Sequence, residues 1–73
     1  MNIMFKNGVL TTLPSNEIIA TDIEEVEIYL MYKTMQVLLG IISKGDSAMC
    51  LHYVKDVYIS RFKRTAEVYI KVI

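Results

Sequence analysis

The stretch 25–43, EVEIYLMYKTMQVLLGIIS, constrains this chain more than any other. Its apolar alternation changes parity: Val26, Ile28, Leu30 and Tyr32 stand at even positions, Met35, Val37, Leu39 and Ile41 at odd ones, with the switch at Lys33-Thr34. Strand side chains alternate between faces, so a reversal at 33–34 brings both series onto one face. Tyr32 then pairs with Met35, Leu30 with Val37, Ile28 with Leu39 and Val26 with Ile41, a register fixed by the buried face. Lys-Thr is poor material for a tight turn that needs positive φ, which leaves room for a wider loop. A helix is the alternative. Asp22 and Glu25 have capping-box spacing and Gly45 can close a C-terminus. However, Glu27, Lys33, Thr34 and Gln36 do not gather on one side at a 3.6-residue period. A β-hairpin is expected, with an α+β fold carrying a helix within 22–44 as the alternative.

The remaining segments also favour strands. Asn7-Gly8 lies between β-prone runs and is a preferred tight-turn dipeptide. Pro14-Ser15-Asn16 breaks the chain, Ile18-Ile19-Ala20 suits a short strand, and Lys44-Gly45-Asp46-Ser47 marks another turn. Ala48–Val54 reads equally as a strand or a helical piece. Val57–Phe62 and Thr65–Val72 alternate. A turn at Lys63-Arg64 would pair Val57 with Ile70 and Ile59 with Val68 inside, and Tyr58 with Tyr69, Asp56 with Lys71 and Ser60 with Glu67 outside. No internal repeat or linker stands out. The expected fold is mainly β: a small sheet or barrel of hairpins, a single domain over 1–73.

A domain of 73 residues buries a limited share of its surface, yet 53% of this chain is hydrophobic and its mean hydropathy is +0.36. Apolar surface in excess of what a core can hide marks interfaces, so a homo-oligomer is expected. The longest aliphatic run, Val37–Ile42, is far too short to span a bilayer, and no signal-peptide pattern opens the chain. One cysteine excludes an intramolecular disulfide. A cytoplasmic, intracellular location without membrane attachment is the expectation.

Chemistry-bearing residues are few. Cys50 and His52 would share a face in a strand, and are read as a packed thiol and a surface or rim imidazole rather than as a dyad or half a zinc site. Glu25 and Glu27 read as a solvated face. The three glycines are too scattered for a phosphate loop. No catalytic residue, cofactor or metal is expected, and the chain is read as a non-enzyme.

The net charge of zero hides an asymmetry: residues 1–43 carry −3 and residues 44–73 carry +3. Either the two halves attract each other within the fold or the basic half meets an anionic partner. The basic corner Arg61, Phe62, Lys63 and Arg64, with Tyr58 and Tyr69 on the same outer face as Phe62, is the candidate partner-binding site. Cations with aromatics suit single-stranded nucleic acid, but Asp56 and Glu67 dilute the charge. The functional expectation is therefore an interaction module that self-associates and binds another macromolecule, most plausibly a protein. Its size and sparse chemistry fit a regulator or inhibitor, including ones of viral or mobile-element origin. Nucleic-acid binding through 58–64, or service as a structural subunit of a larger assembly, are the alternatives.

Overall fold

The computed structural model describes residues 1–71 and is built from strands alone among them. Eight strands run in order: β1 (Asn2–Lys6), β2 (Val9–Leu13), β3 (Ile18–Ala20), β4 (Glu25–Tyr32), β5 (Met35–Ser43), β6 (Met49–Leu51), β7 (Val54–Ser60) and β8 (Thr65–Lys71). They form two four-stranded sheets rather than a closed barrel, in the orders β3-β2-β1-β6 and β5-β4-β8-β7. No helix occurs within 22–44, so the α+β alternative is set aside.

Local chemistry accounts for the first hairpin. Asn7 and Gly8 take φ of 50° and 79°, the paired positive values that a tight β1–β2 turn demands. A Cβ on Gly8 would lie 3.2 Å from the Ile23 carbonyl oxygen, so the position is restricted sterically as well. That crowding is the underside of a link between the sheets, where the Ile23 amide donates to the Gly8 carbonyl.

The β4–β5 hairpin turns at Lys33-Thr34 in two residues, with Lys33 at φ 54°. Tyr32 pairs with Met35 and Leu30 with Val37, but the register slips between Tyr29 and Ile28, leaving Leu39 as an extra residue. Ile28 therefore faces Gly40 rather than Leu39, and Val26 faces Ile42 rather than Ile41. A bulge of this kind inverts alternation beyond it, which explains why Ile41 lies on the outer face and Ile42 on the inner one.

The β7–β8 hairpin uses a four-residue loop, Arg61–Arg64, in place of a turn at Lys63-Arg64. Its register is displaced by two residues from the expected one: Val57 faces Val68, Ile59 faces Ala66, Tyr58 faces Glu67, Asp56 faces Tyr69 and Ser60 faces Thr65. A shift of two preserves which face each side chain takes, so the faces agree with the alternation while the cross-strand partners differ. Ala48–Val54 resolves into β6 and the start of β7, with no helical turn.

One apolar cluster joins the sheets: Ile3, Phe5 and Leu10 from β1 and β2, Ile23 from the link, and Val26, Ile28, Val54, Ala66 and Val68 from the other sheet. β4 and β8 form a parallel pair at the centre of their sheet, flanked by their hairpin partners on either side. Glu24 ties the link between the sheets to the rest: its amide donates to the Arg64 carbonyl, its carbonyl accepts from Lys44, and its carboxylate lies 3.7 Å from both Lys44 Nζ and an Arg64 guanidinium nitrogen. Half-exposed ion pairs contribute little stability, on the order of 0–1 kcal/mol each; the backbone bonds fix the geometry.

Candidate functional site

Two surfaces distinguish this molecule. The first is the outer edge of β5. The strand has no charged residue and no proline, and lies at the end of its sheet. Met35, Val37, Leu38, Leu39 and Ile41 are all exposed, at 43–61% of their full areas. Apolar side chains project from both faces, because the bulge at Leu39 puts apolar residues on the outer side as well as the inner. An exposed, long, uncharged edge is a template for another strand.

The second surface is the outer face of the β5-β4-β8-β7 sheet. The parallel register sets Glu27 beside Glu67 and Tyr29 beside Tyr69. The two rings stack at 5.3 Å with an 18° interplanar angle, and Tyr58 meets Tyr69 edge-on at 5.4 Å. Each hydroxyl of the stacked pair donates to the glutamate two residues earlier: Tyr29 to Glu27 Oε2 at 2.5 Å, Tyr69 to Glu67 Oε2 at 2.9 Å. Leu38 extends this row across β5, opposite Tyr29. A shallow groove of about 390 Å³ opens alongside, lined by Met31, Gln36, Lys55, Asp56, Tyr58, Glu67 and Tyr69.

The hydrogen bond to Glu27, followed by partial desolvation and the nearby negative charge, pushes the Tyr29 phenol up to about 12. Tyr69 is raised in the same direction, chiefly by its hydrogen bond to Glu67. A raised folded-state pKa means that this contribution to stability is fully present below the ordinary value near 10. It is lost as pH climbs from there towards 12, because the unfolded chain ionises first. In Glu27→Gln the Tyr29 phenolate is expected to form at lower pH than in the parent. An ultraviolet titration in which no tyrosine moves downward contradicts this assignment.

The sequence-derived site is split by the structure. Tyr58 and Tyr69 do share the outer face. Phe62, by contrast, stands at the tip of the loop, fully exposed, and not on a strand with them. Arg61 and Lys63 are exposed on the same loop, while Arg64 turns back to Glu24. Cys50 is exposed on β6 rather than packed, and His52 lies beyond the strand's end, also exposed. Among the described residues no three His, Cys, Asp or Glu side chains converge as a metal-binding group.

Tyr29 and Glu27 were not singled out by sequence as partners of Tyr69 and Glu67. The signal was present: Val26-Glu27-Ile28-Tyr29-Leu30 and Ala66-Glu67-Val68-Tyr69-Ile70 are the same pattern, and the parallel register aligns them residue for residue. Comparison with protein families, with characterised proteins and with solved structures finds no match to this chain.

Proposed function

We propose that this chain is a non-enzymatic interaction module that self-associates and binds another protein, acting as a regulator or inhibitor. The single observation that carries the self-association is the β5 edge, nine residues long, uncharged and lined with exposed aliphatic side chains. The tyrosine-rich outer face supports binding of a second protein. Tyrosine offers a large, rigid area with a polar tip, the kind of contact enriched at protein interfaces. Nucleic acid is the less favoured ligand. The aromatic face carries Glu27, Glu67 and Asp56, which repel phosphates, and the basic loop has one of its three cations paired to Glu24.

Sedimentation across the micromolar range tests the self-association. A species of twice the 8.4 kDa chain mass, dissociating on dilution, is expected. A single 8.4 kDa species at high concentration defeats it. For the nucleic-acid alternative, salt-sensitive nanomolar binding of short single strands, lost in Arg61→Ala/Lys63→Ala/Arg64→Ala, would reverse the ranking. The expected affinity is no tighter than the roughly 10⁻⁴ to 10⁻⁶ M of non-specific association.

A further inference from the structure

Four strand edges end the two sheets, and they differ in a way that identifies one of them. β3 and β6 are three residues long, too short to template much pairing. β7 is interrupted by a register shift between Val54 and Asp56 and carries Lys55 and Asp56. Short length, irregularity and charge are the devices by which edges avoid other chains. β5 is the longest strand described, with no charge to guard it, and its one irregularity is the Leu39 bulge.

We propose that a second copy of this chain covers this edge: two β5 strands pair antiparallel about a two-fold axis within Leu38–Gly40, joining two four-stranded sheets into one of eight strands. This proposal rests on the self-association proposed above and specifies its geometry. Each β5 has one free edge, the other being held by β4, so pairing in either direction stops at two copies. Charge separates the two directions. Parallel stacking sets each Lys33 beside another Lys33. Antiparallel pairing brings Lys33 to the partner's 44–46 turn, where Lys44 is already paired with Glu24 and Asp46 supplies the opposite sign. The bulge places the axis. Met35 and Val37 face inward before Leu39, and Gly40 and Ile42 face inward after it, as their partners Leu30, Ile28 and Val26 show. Same-face pairing across the axis then matches Val37 with Gly40 or Ile42, which requires the axis to fall beside Leu39.

Single nitroxide labels at Gln36, Leu39 and Ser43, each introduced through cysteine in a Cys50→Ser background, test this by pulsed electron resonance, with sedimentation run on each labelled chain. At about 3.4 Å per residue, the backbone separations between copies are expected to be under about 10 Å at Leu39, about 20 Å at Gln36 and about 27 Å at Ser43. If the label at Leu39 splits the dimer, the other two distances decide. A dimer with short separations at all three positions overturns the antiparallel arrangement, and one with none in this order overturns the β5 interface; either leaves self-association standing. Absence of coupling together with an 8.4 kDa species removes both.

Discussion

Phe5→Ala is expected to remove about a third or more of the stability of this domain. The ring comes from β1, is 2% exposed, and packs in the cluster that joins the two sheets. Truncating a buried phenylalanine costs about 3–5 kcal/mol, through lost transfer energy and the cavity left behind. A domain of 73 residues has, at roughly 0.05–0.15 kcal/mol per residue, about 4–11 kcal/mol in total. The variant is therefore expected to show a urea midpoint lowered by about a third or more, or no folded baseline. Parent and variant must be compared at one protein concentration, because association adds to apparent stability. A loss below about 1 kcal/mol would mean that the sheets do not meet over this ring.

Val37→Lys/Ile41→Lys has the opposite profile: large for association and small for the fold. Both side chains are about half exposed on the edge strand, Val37 at 43% and Ile41 at 52%, so neither lysine needs to be buried in the monomer. In an antiparallel β5 pair, two ammonium groups would be added to each face of the seam, and lysine is the residue natural edges use to stay unpaired. The dimer is expected to dissociate by at least about tenfold in Kd, while the far-ultraviolet spectrum and the urea midpoint of the monomer stay close to the parent's. Unchanged association would place the contact elsewhere, with the tyrosine face as the next surface to substitute.

What was legible in the sequence was local. Asn7-Gly8 specifies its turn because both positions need positive φ. The parity switch at Lys33-Thr34 specifies a hairpin because side-chain alternation leaves no other way to set Leu30 and Val37 on one face. What failed were counts that depend on backbone geometry. Nothing in Leu38-Leu39-Gly40 announces which residue is extra, since all three are uncharged and either neighbour could have been skipped. Ser60-Arg61-Phe62 continues the alternation and so points to a short turn at Lys63-Arg64, although the chain has already left the sheet after Ser60. The candidate site was half legible. Tyr58 and Tyr69 follow from alternation within one hairpin, whereas Tyr29 joins them through a parallel pairing of strands about 40 residues apart in sequence. No turn residue encodes that contact; only the matching Glu-x-Tyr patterns of β4 and β8 hint at it. The apolar excess pointed to an interface without locating it, because β5 looks like core until the sheet order shows that no described strand lies on its far side.

The claim at the centre of this account is that the β5 backbone edge is where two copies meet, and backbone hydrogen exchange measures it directly. The Ser43 amide is already held by Asp46. Amides of residues 35–42 that point away from β4 have no strand partner among the described residues of a monomer and exchange as exposed groups. When β5 pairs, the same amides become interior ladder positions. Their exchange is expected to slow markedly as concentration rises through the dissociation midpoint, while the edges of β3 and β6 stay fast at every concentration. Outward β5 amides that exchange equally fast in dilute and concentrated samples would contradict it.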